Sequence, residues 1–135
     1  MAVDEHAVAR AFVKFTSGSA DELHELIAED CVDHVSGRSG KDIWVTVSEW
    51  LRQSFADIDV ELHGVGTADG GRVMIWMTTH GTHVGSAFPW MRGRPPSGRR
   101  VAWSQVHVFR EQDGHLVEHW AVRDDLRVLE TIDDA

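Results

Sequence analysis

Residues 112–126 read QDGHLVEHWAVRDDL, and the fold turns on how this stretch pairs and where its side chains point. Asp113-Gly114 is a strong two-residue hairpin signal, because both residue types tolerate the positive φ that such a turn requires. The alternation after it predicts a strand. His115, Glu118 and His119 spell H-x-x-E-H, a zinc-protease pattern that works on a helix. On a strand the two histidines stand about 13 Å apart and cannot share an ion. The stretch therefore reads as a strand without a metal site, ending in two acids, Asp124 and Asp125.

Strand parity separates those acids. Glu118, Trp120, Val122 and Asp124 share one face, and His119, Ala121, Arg123 and Asp125 the other. The preceding strand, VAWSQVHVF (101–109), sets Trp103, Gln105, His107 and Phe109 on one side. That face is the expected pocket wall, since it pairs two large aromatics with Gln105 and His107, whose Cβ atoms lie about 6.5–7 Å apart. These two groups serve either a ligand or buried neighbours. Continued without interruption, the hairpin sets His107 opposite Trp120 and Gln105 near Val122. Asp124 then enters the cavity near Trp103, where desolvation would raise its pKa and make it a useful base. Asp125 points away.

Working outward, the first third reads as helical. Ala7, Val8, Ala11, Phe12 and Phe15 share a helical face between Asp4 and Thr16. Ser19 and Glu22 form a candidate capping box for a second helix buried through Leu23, Leu26 and Ile27. A third covers Asp42 to Phe55, with Trp44 and Trp50 as core aromatics. After Phe55 the period changes to two: strands are expected in DIDVELHGV (57–65) and GRVMIWMTTHGTH (71–83), and a closing helical turn over 126–132. The irregular segment 84–98 is long enough to be a lid. Arg92 and Arg94 within it, with Arg99 and Arg100 just after it, read either as loop surface or as contacts to an anionic or carbonyl-rich ligand. Helices followed by antiparallel strands indicate an α+β domain spanning residues 1–135, a curved sheet over about three N-terminal helices with a cone-shaped cavity between them.

Composition narrows the partners. The chain has 135 residues, 42% hydrophobic and 26% charged, with a net charge of −9, which argues against nucleic-acid binding. No apolar run is long enough to span a bilayer. The acidic start lacks a signal-peptide pattern, and Cys31 is the lone cysteine, so the cytoplasm is the expected compartment.

The pieces AEDCVDH, GTHVG with RPPSGRRV, SQVHVFREQDGHLVEHW and AVRDDL, in this order, resemble the SnoaL-like polyketide cyclases of the nuclear-transport-factor-like superfamily over nearly the whole chain. The resemblance implies a cone-shaped α+β barrel, a homodimer formed through the sheet, no cofactor, and a polyketide-like small-molecule substrate. It implies ring closure by intramolecular aldol condensation with Asp124 as base. Gln105 and His107 would bind the reacting oxygens, and His34, Trp103, Trp120, Phe109 and Met77 would hold the substrate. The loop 86–98 looks longer and more basic than the family pattern, and the chain has no tyrosine.

Two other classes remain open on the same residues: a cofactor-independent hydroxylase, hydrolase or dehydratase, and a binding protein that uses the cone without catalysis.

Overall fold

The computed structural model describes residues 3–134, so the reading of the extreme N-terminus lies partly outside the described residues. Helix α1 (Glu5–Ser17) opens with Asp4 accepting from the His6 amide, a side-chain cap worth about 1 kcal/mol. Its buried stripe is Val8, Ala11, Phe12 and Phe15. Helix α2 (Asp21–Leu26) has Ala20 at its N-cap and no side-chain cap bond. The expected capping box is absent, and Glu22 instead meets Lys14 of α1 at 2.6 Å.

The helical reading of the first third is interrupted by strands β1 (Ile27–Asp33) and β2 (Arg38–Ser39) before α3 (Asp42–Ser54). Strands β3 (Phe55–Ala68), β4 (Arg72–His83), β5 (Arg100–Gln112) and β6 (His115–Arg123) follow, and α4 (Asp125–Asp133) closes the chain. The six strands form one sheet in the order β2-β1-β6-β5-β4-β3. Its pairings are antiparallel except β1 with β6, which is parallel and sets Asp33 beside His119. The fold is α+β as expected, a mixed sheet covered on its inner face by the helices.

The decisive departure lies in the hairpin. Asp113 and Gly114 both take positive φ, 53° and 85°, as a tight hairpin turn requires. Gln112 pairs with His115 and Glu111 with Leu116, but Arg110 then pairs with Glu118 rather than Val117. Val117 is an extra residue, a β-bulge, and one extra residue moves every later side chain to the opposite face. His107 therefore lies opposite Ala121, Phe109 opposite His119, and Gln105 opposite Arg123. Leu116 and His119 are both buried although three residues apart.

The inversion corrects the faces read from strict alternation. Trp120 and Val122 lie on the outer side of the sheet, and Val122 is 77% exposed. Strand β5 carries no such shift beside β4, and Trp103, Gln105, His107 and Phe109 all point inward as expected.

Candidate active site

Between the sheet and helices α1 and α3 lies a cavity of about 440 Å³. Phe12 and Phe15 from α1, Trp44 and Trp50 from α3, and Phe88, Pro89 and Trp90 from the long loop supply most of its apolar wall. Asp33, His107, His119 and Arg123 supply polar groups from β1, β5 and β6, and Arg38 stands exposed at the rim. Volume and lining suit a small organic molecule, with few polar groups to orient it.

Four side chains on three adjacent strands form a continuous hydrogen-bonded line. His119 Nδ1 lies 2.8 Å from Asp33 Oδ1, His119 Nε2 lies 2.9 Å from His107 Nδ1, and His107 Nε2 lies 2.7 Å from Gln105 Oε1. The four residues are 4–6% exposed. Asp33 is also fixed by the backbone N–H groups of Val35 and Ser36, which donate to its two oxygens. Bonds from His119 and Ser36 hold its carboxyl below the usual carboxylate range despite burial. Burial lowers the pKa of His107 strongly, helped by the neighbouring His119 and Arg123 charges. Burial lowers His119 too, with Asp33 working against it.

Taken together, these directions favour one arrangement of the protons. An ionised Asp33 only accepts, so His119 carries its proton on Nδ1 and presents Nε2 as an acceptor. A neutral His107 then donates from Nδ1, which leaves the lone pair on Nε2. In that state Gln105 must turn an amide N–H toward the ring, whereas a protonated His107 donates to Gln105 Oε1. The line therefore aims one basic nitrogen, His107 Nε2, and couples its protonation to the orientation of the Gln105 amide.

The packing makes this arrangement rigid. Phe12 lies 4.2 Å from the His107 ring between centroids, and Phe109 and Trp44 lie 4.7 and 4.8 Å from His119. The indole Nε1 atoms of Trp44 and Trp90, two residues of the cavity wall, are buried without partners among the described residues.

The expected residues separate into two groups. Gln105 and His107 are in the line, and Trp103 borders a small chamber of about 40 Å³ beside them. Phe109 and Met77 are fully buried in the core and do not border the main cavity. His34 is exposed, bonds Glu118 at 2.7 Å, and stacks on Trp120 at 4.8 Å, so both belong to the outer surface. Asp124 does not reach the cavity: it is exposed and caps α4, with Oδ1 accepting from the Arg127 amide at 3.1 Å. Asp125 is the inward acid, taking the indole N–H of Trp103 at 2.8 Å and Arg123 Nη2 at 3.1 Å.

Strict alternation hid His119 and Arg123, and Asp33 lies on strand β1, which the sequence reading did not expect. The signal that could have found Asp33 and His119 was the pair of segments AEDCVDH and LVEHW, each offering an acid or histidine to the sheet interior. The lid arginines also lie elsewhere: Arg94 clasps Asp133 of α4 through two bonds of 2.7 and 2.9 Å, and Arg100 donates to the Asp57 carbonyl. Phe88, Pro89 and Trp90 are what the loop lays over the cavity.

Fold and site together define a cone-type α+β protein built around a small-molecule cavity. The chain belongs to the SnoaL-like polyketide cyclase family, whose model matches residues 6–132. It is 26% identical over 118 residues to the aklanonic acid methyl ester cyclase DauD of Streptomyces sp. strain C5, covering 83% of this chain and 70% of that one. It is 27% identical over 110 residues to the nogalonic acid methyl ester cyclase of Streptomyces nogalater, covering 78% of each. Among solved structures, AclR of Streptomyces galilaeus, a candidate hydroxylase, superposes with a TM-score of 0.79 at 25% identity, over 97% of this chain and 82% of that one.

Proposed function

We propose that the protein is a cofactor-independent cyclase that closes a ring of an aromatic polyketide by intramolecular aldol condensation. The observation that carries this reading is the line Asp33–His119–His107–Gln105 on the wall of an apolar cavity. His107 Nε2 removes a proton from the carbon between two carbonyls, and Gln105 yields its place at that nitrogen as the substrate enters. The enolate carbon attacks the acceptor carbonyl, forming the carbon–carbon bond, and the resulting alkoxide recovers the proton from His107. Asp33 and His119 fix the His107 tautomer and stabilise the transient imidazolium, as in triad chemistry. The Gln105 amide donates to the enolate or carbonyl oxygen, and the aromatic walls hold the two carbons within reach. The base role expected of Asp124 passes to His107, because Asp124 is committed to capping a helix on the surface.

The outer face of the sheet favours a homodimer. Trp76, Val106 and Val122 pair across β4, β5 and β6, as do Met74, Val108 and Trp120. Trp76 is 55% exposed, so burial of this patch against a second copy would remove large apolar surface from water. Sedimentation of the wild type against a Trp76→Glu variant tests it, and a monomeric wild type would refute it. No helix among the described residues is long and apolar enough to cross a membrane.

The reaction test is incubation with a tricyclic methyl-ester polyketide. Ring closure gives a product of unchanged elemental composition, or one lacking water. The likeness to AclR makes hydroxylation the competing chemistry. Oxygen uptake with a corresponding mass gain would establish that reading instead. Binding without turnover, unaffected by His107→Gln, would identify a binding protein.

A further inference from the structure

Arg123 is a charged group of the cavity wall, next to Gln105 and His107, that the hydrogen-bonded line leaves unused. It ends β6 opposite Gln105, and its side chain is 20% exposed. Its guanidinium carbon lies 5.4 Å from the centre of the Trp103 ring. Arg123 borders the main cavity and the small chamber beside Gln105 and His107. A single hydrogen bond is made by the guanidinium among the described residues, from Nη2 to Asp125 Oδ2. A guanidinium carries five N–H donors in a planar fork, so most of its donors remain for a ligand.

The charge balance has the same sense. Among the described residues Asp33 is the only carboxylate on the cavity wall, and its oxygens are occupied by His119, Val35 and Ser36. Both histidines are held toward their neutral forms, and Arg123 contributes to that in each. Arg38 stands exposed at the rim, so Arg123 is the half-buried cation of the cavity, partly satisfied and set against aromatic surface, where an ion pair with two parallel hydrogen bonds gains most. A methyl ester has no negative charge to offer it, and its alkoxy oxygen is a poor acceptor.

Building on the cyclase reading, we propose that Arg123 selects a substrate bearing a free carboxylate, whereas the names of the curated relatives specify methyl esters. The carboxylate docks on the open edge of the guanidinium while Asp125 and Trp103 hold the other side of the side chain in place. Arg123 is thereby a specificity residue, and His107 retains the proton transfer.

The test uses anthraquinone-2-carboxylate and its methyl ester, with binding followed by quenching of tryptophan fluorescence at pH 7.5. Trp44, Trp50 and Trp90 line the cavity and report its occupancy. The wild type is expected to bind the acid at least about 10-fold more tightly than the ester, as for a charged hydrogen-bonded contact. Arg123→Met, which keeps the aliphatic stem over Trp103, should bring the two affinities within about twofold. Arg123→Lys should retain part of the preference, and a circular-dichroism melt of each variant confirms the fold. Equal binding of both probes by the wild type, or a preference that survives Arg123→Met, overturns the assignment while leaving the cavity reading intact. Failure of both probes to bind the wild type overturns both.

Discussion

His119 Nε2 and His107 Nδ1 lie 2.9 Å apart, so a single proton bridges two buried imidazoles whose outer nitrogens meet Asp33 and Gln105. The stacked rings, 5.2 Å between centroids, cannot both be charged without strong repulsion. The pair works as one unit that holds at most one extra proton.

Removing the charge behind that unit should disable it without unfolding the chain. Asp33→Asn keeps one acceptor oxygen, so either the Val35 or the Ser36 amide loses its partner, and its own N–H group can impose the wrong His119 tautomer. We expect kcat to fall on the order of 10²-fold or more, with KM changed little. Kinetics on the cyclisation substrate check this, and a variant with wild-type kcat would remove Asp33 and His119 from the mechanism.

The two acids at the end of β6 should behave in opposite ways. Asp124→Asn is expected to match the wild type in turnover and stability, because Asn caps a helix as well as Asp does. Asp124→Ala should cost about 1 kcal/mol in a denaturant melt while leaving kcat unchanged. Asp125→Asn should raise KM, because it releases Arg123 and weakens the seat of Trp103. A large kcat loss in Asp124→Asn would restore that residue as the base.

Stability should fall on mild acidification. His107 and His119 have folded-state pKa values below the unfolded value of 6.5. As pH drops through that value the unfolded chain gains protons that the folded chain refuses, so the contribution is complete above it and lost progressively below. The melting temperature should therefore decline between about pH 7 and pH 5, and His107→Gln should flatten the decline. Turnover should share the sign, since only neutral His107 can accept a proton, with its acid limb below the ordinary histidine range.

The hairpin bulge offers a more severe test. Deleting Val117 restores uninterrupted pairing and turns His119, Ala121 and Arg123 outward. The variant should lose its cooperative melt or, if folded, lose probe binding entirely. Retained probe affinity would mean that another slip had absorbed the deletion.

Much of the architecture was legible because it follows from periodicity. Phe12 and Phe15 mark α1, the Asp113-Gly114 turn marks the last hairpin, and β5 alternates without a shift beside β4, so Gln105 and His107 were found directly. What escaped depends on features that alternation does not encode. Val117 looks like any other strand valine, yet its extra place in the ladder exchanged Trp120 for His119 and Asp124 for Asp125. Strand β1 was masked because it follows α2 without a break and contains Glu29 and Asp30, which strands disfavour. Its Asp33 matters only through parallel pairing with β6, a contact between residues 86 positions apart. His34 and Met77 show the converse: one polar and one apolar residue assigned to the pocket, one placed on the surface and the other in the core.

The clasp between Arg94 and Asp133 joins the roof of the cavity to the last helix. The segment that lays Phe88, Pro89 and Trp90 over the interior is thus moored to a helix 39 positions further along the chain. Raising that cover means breaking a contact that lies outside the cavity, so Arg94→Ala is a handle on entry and exit that touches no residue of the cavity wall.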